Sequence, residues 1–525
     1  MDENSFSRRQ FLWFSAGATG VVALAGCGGK SPQGGGKPKK GGTLTIGQAD
    51  NPTTLDPQDT NDNLSFSIEK TMFERLIDFD QHMKLVPSLA TAWHASADAK
   101  EFTLDLRHGV TFHDGAPFDA EAVKTNFDRV RDKKNGLKRW SLYSNIAEIV
   151  PDGKYRVRFR LSEPFGAFLA NLAHPAGGII SPKAIKENGK DLSHHPVGTG
   201  PFSFVEWKLG EQVKVKRFPK YWDAGKIRLD AITFKPVPEA QSRLDGLRTK
   251  ELQLIYPLPP VDYKAMKKAS GTTVWEGPSI FVNRLSMNVL HKPFDDKRVR
   301  QAMNYAVDKK ALVAVVAYGH AKPMDSPIAP NVFGYSHVMT YPHDVAKAKS
   351  LLKEAGYPNG FSFTLWTSNT TEARNLAEAI QQQLAQASIK MKIQTFEGPT
   401  LDNLLFQPAS QNKEQASLDG WSPSTGDADW GLRPLLSKEA WPPTLYNTSF
   451  YDNPTVNKKI DAALATADKA ERQKLYAEVQ KIVMDDAPWV FLYISDQLAG
   501  TTSDLHGIYV LPDQTLVVKN GYFTG

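Results

Sequence analysis

The sequence predicts an α/β fold, and two patterns along the chain support this class. Apolar and polar residues alternate strictly at 101–107 and 155–161, which is typical of strands with one buried face. After about Glu276, apolar spacing typical of helices alternates with short apolar runs typical of strands. Strand–helix–strand units of this kind favour a sheet with some parallel pairing. We therefore expect an antiparallel N-terminal region followed by an α/β region.

The individual elements follow from the same two periods, taken in chain order. Strands are predicted at 43–47, 101–107, 155–161, 202–207, 212–218, 232–234, 252–255, 361–366, 389–393 and 489–494. Helices are predicted at 120–130, 297–307, 344–352, 372–386, 455–466 and 469–484. Asp119, either Asp295 or Asp296, and Asp344 stand at the start of three of these helices. A carboxylate there accepts hydrogen bonds from the free main-chain N–H groups of the first turn.

The composition excludes several classes of protein. The chain has 525 residues, of which 41% are apolar and 23% are charged, as in soluble globular proteins. These proportions exclude a disordered chain and a protein that crosses the membrane many times. The formal charge of +6 is unevenly placed, because Lys30, Lys37, Lys39 and Lys40 stand in one short stretch without acids. Residues 43–525 are therefore nearly neutral, which predicts no binding of nucleic acid.

The first 27 residues have the organisation of an export signal. Arg8 and Arg9 precede Phe11, and a run of apolar and small residues extends from Trp13 to Ala25. This run is too short and too rich in glycine and alanine for a good membrane span. The paired arginines resemble a twin-arginine signal. Because Trp13 stands where such signals often have lysine, ordinary Sec export is the alternative.

The only cysteine of the chain predicts a lipid anchor. Leu24-Ala25-Gly26-Cys27 resembles the lipobox of bacterial lipoproteins, whose cysteine is acylated and becomes the mature N-terminus. Acyl chains would hold the protein at a membrane face, and residues 28–42 have the composition of a flexible tether. The alternative is a signal peptide with an accidental cysteine. We expect an exported protein, in the periplasm or at the outer face of the cell membrane.

No motif in the sequence indicates catalysis. The His-Glu-x-x-His, Gly-x-Ser-x-Gly and Walker patterns are missing from it. The Gly-rich segment 197–201 is not followed by a helix, so we interpret it as a tight turn between domains. His108, His113, His194 and His195 are the best candidates for a metal site, but no cysteine completes a structural zinc site. We predict that the protein is not an enzyme and has no cofactor or metal.

The segment 420–434 has the composition of a binding site. It combines two tryptophans with Asp427, Asp429 and Arg433 among loop-forming residues. Aromatic faces bury ligand area, and opposite charges can pair with a zwitterion. The two carboxylates have three interpretations at this point. They are a glycosidase pair, a partner for a ligand ammonium group, or a helix cap.

Four motifs in a fixed order carry a family resemblance. They are Phe102-Thr103-Leu104-x-Leu106-Arg107-x-Gly109-Val110-x-Phe112-His113-Asp114-Gly115, Pro196-Val197-Gly198-Thr199-Gly200-Pro201-Phe202, Pro293-Phe294-Asp295-Asp296-x-Arg298-Val299-Arg300-Gln301-Ala302 and Lys353-Glu354-Ala355-Gly356-Tyr357-Pro358. Together they resemble the extracellular solute-binding proteins of family 5, which are peptide- and nickel-binding components of ABC importers. The resemblance extends from about residue 42 to about residue 513.

The resemblance implies a two-lobed periplasmic-binding-protein clamp (type II-like) with an additional outer domain. Lobe I would consist of the discontinuous segments 43–80, 196–277 and 490–525. The outer domain would occupy 81–195, and the α/β lobe II would occupy 278–489. A member of this family closes on its ligand between the lobes, has no catalytic activity, and docks on a membrane permease that works with ATPase subunits. We expect a monomer.

Three further stretches resemble the glutathione-binding branch of the family, namely 420–430, 441–451 and 508–513. In dipeptide-binding relatives, an aspartate three residues after the Gly-Trp pair holds the ammonium group of the ligand. That position is Ser424 here, and a serine cannot supply the opposite charge that a buried ammonium group needs. We therefore expect Asp427 or Asp429 to take the ammonium group. One of the arginines Arg374, Arg284 and Arg433 would take a carboxylate.

The sequence thus predicts a lipid-anchored protein that binds glutathione or a similar short peptide. The predicted ligand-binding residues are Thr53, Thr54, Asn288, Arg374, Trp421, Ser422, Ser424, Thr425, Asp427, Asp429, Trp430 and Arg433. Within the same fold, the alternatives are a general binder of di- or oligopeptides, nickel or haem. Outside it, the alternatives are a secreted hydrolase and a peptide-binding chaperone or receptor.

Overall fold

The computed structural model describes residues 37–525. The predicted export signal, its Cys27 and the first part of the tether lie outside the described residues. No helix within residues 37–525 combines the length and the apolar character needed to span a membrane.

The described chain forms 23 strands and 15 α-helices. In the first segment they are β1 Thr43–Gln48, α1 Asn63–Met72 and β2 Ile77–Phe79. The next segment contains β3 Leu85–Pro87, β4 Ala90–Ala95, β5 Glu101–Leu106, α2 Ala120–Arg131, α3 Trp140–Tyr143, β6 Ile146–Pro151, β7 Arg156–Leu161, α4 Phe168–Ala173 and α5 Pro182–Asn188. The third contains β8 Phe202–Lys208, β9 Gln212–Arg217, β10 Ala231–Pro236, α6 Ala240–Arg248, β11 Leu254–Tyr256, α7 Tyr263–Lys268 and β12 Thr272–Gly277.

The C-terminal half contains most of the helices. Its elements are β13 Val282–Met287, α8 Lys297–Ala306, α9 Lys309–Val316, β14 Ala321–Pro323, α10 Val345–Glu354, β15 Ser362–Ser368, α11 Thr371–Gln386, β16 Lys390–Phe396, α12 Gly398–Leu405, β17 Ala416–Trp421, α13 Ala428–Leu436, α14 Pro454–Leu464, α15 Lys469–Asp486 and β18 Trp489–Ser495. The chain ends with β19 Gln497–Thr502, β20 Leu505–His506, β21 Tyr509–Val510, β22 Leu516–Val517 and β23 Tyr522–Phe523.

Lobe I is built on a seven-stranded sheet of order β12-β19-β11-β1-β10-β9-β8. Its central strand β1 pairs in parallel with both β10 and β11, whereas β9 pairs antiparallel with both β10 and β8. Because its strands come from distant parts of the chain, this sheet forms only when three segments meet. The predicted hairpin at 202–218 is confirmed.

Lobe II is built on a six-stranded sheet of order β14-β18-β13-β17-β15-β16. Strand β15 pairs in parallel with β16 and β17, which confirms the predicted parallel pairing. Strand β18 pairs with β13 and β14 and therefore belongs to this sheet. The expected return to lobe I at residue 490 is therefore wrong. The chain returns at Asp496, between β18 and β19.

The outer domain contains a four-stranded antiparallel sheet of order β4-β5-β7-β6. Its inward residues, among them Phe102, Leu104 and Phe159, share one apolar core with residues of α13–α15 in lobe II, such as Leu432 and Val479. The outer domain and lobe II are thus held against each other by a continuous core.

The predicted helix caps are confirmed. The Asp119 carboxylate accepts a hydrogen bond from the N–H of Ala122 at the start of α2. Asp296 accepts from Arg298 at the start of α8, and it caps this helix instead of Asp295. Asp344 accepts from Lys347 at the start of α10.

Candidate functional site

The predicted site begins where β17 ends. Trp421 is the last residue of β17, and α13 begins at Ala428. We call the intervening residues 422–427 the site loop. Gly426 adopts a φ of +65°, and an added Cβ there would meet Met83 and Phe79 at 3.1–3.2 Å. Phe79 and Met83 therefore lie directly against the site loop.

Asp427 caps helix α13 and forms a buried ion pair. Its carboxylate accepts from the Asp429 N–H at 3.0 Å and from Arg472 Nη2 at 2.7 Å. Both side chains are about 95% buried, with 4% of Arg472 and 5% of Asp427 exposed. Burial alone would lower the pKa of Arg472, but the Asp427 carboxylate outweighs burial and raises that pKa above its ordinary value. Burial also raises the pKa of Asp427, against the effect of Arg472. The pair holds the loop to helix α15.

Asp429 is also paired within lobe II. Its two oxygens accept from Nε and Nη2 of Arg433 at 2.8 and 2.9 Å, a bidentate pair one helical turn apart. The Asp429 charge raises the pKa of Arg433, although burial acts in the opposite direction. Of the three interpretations of the two carboxylates, the helix cap is thus observed for Asp427. The role of these residues in ligand binding stays a prediction.

Aromatic side chains form a wall beside the site loop. The Trp421 ring lies 5.1 Å from the Tyr446 ring and 6.0 Å from the Trp430 ring, centroid to centroid. The Trp421 indole N–H donates to the Trp430 carbonyl at 2.8 Å, which fixes its orientation. Tyr446 is exposed. The three rings therefore offer aromatic surface next to the loop.

The site loop reaches the outer domain through Ser424. Its hydroxyl lies 3.0 Å from Nε2 of His174, which follows α4 and is completely buried. The hydroxyls of Ser422 and Thr425 are buried and have no hydrogen-bond partner within residues 37–525. The loop therefore carries polar groups whose bonding capacity the described chain does not use.

Helix α1 of lobe I contacts His174, the residue that bonds to Ser424 of the site loop. The Phe66 ring packs edge-on against the His174 ring at 5.4 Å. The Arg139 guanidinium lies over the Phe66 ring, with Cζ 5.4 Å from the ring centroid. Burial lowers the pKa of the Arg139 guanidinium, and the charges of Tyr446 and other nearby groups act in the opposite direction. These contacts lead from Phe66 of lobe I through His174 of the outer domain to Ser424 of lobe II.

The remaining predicted residues lie apart from this junction or use their polar groups elsewhere. The exposed Thr53 donates to Asp62, and Thr54 donates to Ser193 at 3.0 Å. Asn288 is 1% exposed and donates to the Glu414 carbonyl.

The two other arginines proposed for a carboxylate also differ in placement. Arg374 is exposed in the first turn of α11. Arg284 is 3% exposed and pairs with Asp419 at 2.5 Å. Arg284 therefore already has an acidic partner inside lobe II.

The histidines proposed as metal ligands each have another contact. His108 stacks on Tyr155 at 4.0 Å, and His113 contacts the Gly200 carbonyl at 3.0 Å. His194 and His195 both contact Asp191. In the part of the chain that the structure describes, no three His, Cys, Asp or Glu side chains are grouped as metal ligands would be.

Four residues of the junction were not predicted from the sequence: Phe66, Arg139, His174 and Tyr446. None stands in a motif with chemistry of its own. Tyr446 alone had a signal, since it lies within the stretch 441–451 that resembles the glutathione-binding branch.

Comparison with known proteins agrees with this architecture. Residues 84–443 match the family described as "Bacterial extracellular solute-binding proteins, family 5 Middle". The chain is 43% identical to the protein named "Glutathione-binding protein GsiB" of Pectobacterium atrosepticum over 464 residues, which are 88% of this chain and 90% of that protein.

Two solved structures have the same fold over nearly their whole length. The Helicobacter pylori periplasmic binding protein DppA, in complex with the peptide STSA, has a TM-score of 0.78 at 29% identity and covers 93% of this chain and 99% of its own. HbpA2 from Haemophilus parasuis has a TM-score of 0.83 at 26% identity, with 92% and 100% covered. The predicted two-lobed α/β fold is confirmed.

Proposed function

This chain belongs to the bacterial extracellular solute-binding proteins of family 5, and from this membership we propose that it captures glutathione or a similar short peptide. The peptide binds between the lobes, and the closed protein, as a monomer, delivers it to an ABC permease with its ATPase subunits. The relatives that carry the name glutathione-binding protein support glutathione as the ligand.

The observation that carries the proposal is the junction of lobe I, the outer domain and lobe II. The aromatic wall lies there with buried hydroxyl groups and Arg139, and within residues 37–525 these hydroxyls have no hydrogen-bond partner and Arg139 has no acidic one. A short peptide offers matching features, because it has apolar surface, main-chain donors and acceptors, and at least one carboxylate. Placing such a site between lobes also makes closure depend on the ligand.

The ion pairs favour binding over catalysis. A hydrolase that uses two carboxylates needs one as a proton donor and the other as a base or nucleophile. Asp427 and Asp429 are instead each paired with an arginine, so neither carboxylate is left free for these roles. We therefore propose that the protein has no catalytic activity of its own.

Calorimetry tests the ligand. We expect glutathione to bind with micromolar or tighter affinity and with a negative heat-capacity change, because lobe closure buries apolar surface. Trp421→Ala should weaken binding about 10-fold or more, since it removes an aromatic face of the wall. The matched control is Trp207→Ala, because that indole lies on β8 and stacks on His194 instead.

A second candidate is a general binder of di- and oligopeptides. The solved relative that holds the peptide STSA favours it. Strong heat with dialanine, together with no heat from reduced or oxidised glutathione, would replace the glutathione assignment with this one.

We also propose that the protein is exported and lipid-anchored through Cys27, with the twin-arginine route as its export pathway. The lipobox-like Leu24-Ala25-Gly26-Cys27 and the pair Arg8-Arg9 support this. We expect labelling with radioactive palmitate that disappears in Cys27→Ala, and release of that variant from membranes by carbonate washing. A Cys27→Ala protein that stays fully in the washed membranes would contradict the anchor. An Arg8→Lys, Arg9→Lys variant that is exported normally would favour the Sec route.

A further inference from the structure

We propose that Ser424 and Arg139 together bind a carboxylate group of the ligand. The family resemblance implies that dipeptide-binding relatives hold the ligand's ammonium group at the position of Ser424. Under our proposal, this position binds the opposite charge. The inference rests on the proposed function, because it concerns how the same junction selects its peptide.

The hydrogen bonds of His174 show which of its ring nitrogens carries the proton. The Nδ1 atom of this ring accepts a hydrogen bond from the Ala176 main-chain N–H at 3.0 Å, so Nδ1 carries no proton. Complete burial and the nearby charges of Arg139 and Arg75 lower the pKa of His174 well below its usual value, so the ring is neutral near pH 7. A neutral imidazole has one proton, which must then be on Nε2.

The Ser424 hydroxyl accepts the hydrogen bond that His174 offers and keeps its own proton free to donate. Nε2–H of His174 is 3.0 Å from the Ser424 oxygen, so the serine oxygen accepts this hydrogen bond. The serine hydroxyl proton is therefore left to donate to another group. Residues 37–525 provide no acceptor for it. A hydroxyl held in this way prefers a ligand that brings an acceptor, such as a carboxylate oxygen.

Arg139 is held in place through one of its three guanidinium nitrogens. Its Nε donates to the Thr60 carbonyl at 2.6 Å, which holds the side chain in place. Within the described chain, no carboxylate oxygen lies within 4 Å of the guanidinium, and neither Nη group makes a hydrogen bond. Two terminal nitrogens of a half-buried cation are thus left for an anion, and an arginine fork suits a carboxylate.

The acidic groups around the junction do not neutralise this arginine by direct contact. Burial raises the pKa of Glu69 well above its usual value, the charges of Asp56 and Asp62 add to this, and the charge of Arg139 opposes it. Asp62 caps helix α1 and accepts from Thr53, Thr60 and Ser65. Asp56 pairs with Arg129. A ligand carboxylate would therefore be the direct counter-ion of Arg139.

The consequence is selectivity for an anionic peptide. Glutathione has two carboxylates and one ammonium group, so it carries a net negative charge near pH 7. An ammonium group at this subsite would meet a hydroxyl proton and a guanidinium, and both would repel it. The assignment therefore explains why a serine replaces the aspartate implied for dipeptide binders.

The test compares ligands that keep or lose each carboxylate. Calorimetry is run with glutathione, its glycine ethyl ester and its glutamyl α-amide, on wild type and on Arg139→Gln. We expect one blocked ligand to bind wild type about 30-fold more weakly than glutathione. Arg139→Gln should weaken glutathione by a similar factor and that blocked ligand by less than about 3-fold. If Arg139→Gln weakens the binding of all three ligands equally, or of none of them, the assignment is wrong.

Variants at Ser424 give a second measure. Ser424→Ala should weaken glutathione about 5-fold or more, because it removes one donor, and Ser424→Asp should weaken it about 100-fold by charge repulsion. Arg248→Gln, on the exposed face of α6, is the matched control and should leave affinity unchanged. Unchanged melting temperatures of all variants show that they are folded. Glutathione affinity that Ser424→Asp leaves intact would also overturn the assignment.

The design separates failure of this inference from failure of the proposed function. If wild type gives no heat with glutathione, the glutathione assignment fails. The comparison is then made with triglycine and triglycine amide. If Arg139→Gln weakens the binding of triglycine but not of triglycine amide, this supports the carboxylate subsite although glutathione is not the ligand. A wild-type protein that binds neither glutathione nor triglycine overturns both proposals.

Discussion

Arg472→Met is expected to lower the free energy of unfolding by about 4 kcal/mol, because it leaves the Asp427 carboxylate buried without its counter-ion. Arg472 is 4% exposed and makes further contacts: its Nε donates to the Ala463 carbonyl, and its Nη2 donates to the Tyr476 hydroxyl at 3.1 Å. The side chain thus connects the site loop, α14 and α15. Urea denaturation followed by circular dichroism measures the change.

Two controls distinguish the lost ion pair from a general effect of losing an arginine. Adding Asp427→Asn to Arg472→Met should recover part of the loss, since asparagine also caps a helix but carries no charge. Arg248→Met breaks an exposed pair with Asp245 and should change stability by about 0.5 kcal/mol or less. Equal effects of Arg472→Met and Arg248→Met would contradict the structural role of the buried pair.

Gly198→Ala is expected to lower the free energy of unfolding by about 3 kcal/mol or more, or to prevent folding. A Cβ at this position would lie 2.2 Å from the Met72 carbonyl oxygen and 2.6 Å from Phe73 Cδ1. The main chain at Met72 cannot withdraw easily, because its carbonyl also accepts from the Gly200 N–H at 2.8 Å. Expression yield and thermal unfolding measure the result.

Gly225→Ala is the matched control for this prediction. An added Cβ at Gly225 meets no atom within 4 Å, and its φ lies outside the positive range that disfavours alanine. We expect a change of about 0.5 kcal/mol or less. A Gly198→Ala protein as stable as Gly225→Ala would show that the segment 197–201 adjusts without loss, against the close approach seen here.

Much of the secondary structure could be predicted because it depends on local spacing. The alternation at 101–107 and 155–161 exposes one face of each strand, and both strands form one sheet. Asp119 and Asp344 cap helices through atoms only three residues away. Such contacts depend on neighbours in the sequence, so the sequence contains the information needed.

The boundary between β18 and lobe I could not be predicted in the same way. Residues 489–494 are apolar throughout, and all six are buried. A strand covered on both faces has no alternation that would indicate which sheet it joins. Its partners β13 and β14 lie more than 160 residues earlier, so only the assembled sheet assigns it to lobe II.

The site also combines features that the local sequence reveals with features that depend on distant residues. The segment 420–434 was found because tryptophans, carboxylates and loop residues cluster within it. The partner of Asp427 was not found, because Arg472 lies 45 residues further along the chain. His174 is separated from Ser424 by 250 residues. The sequence shows which groups are charged, but it does not show which charges are paired.

The sequence alone thus determined the α/β class, the family motifs and the location of one binding segment, because these depend on short-range periodicity and on residue types. The tertiary structure decided which groups of that segment are occupied. It pairs Asp427 and Asp429 with arginines of lobe II, and it brings His174 of the outer domain to Ser424 and Arg139 to Phe66, whose ring packs on His174. The physical reason is that a charge or a hydrogen-bond donor is available to a ligand only when no neighbour in space has already satisfied it.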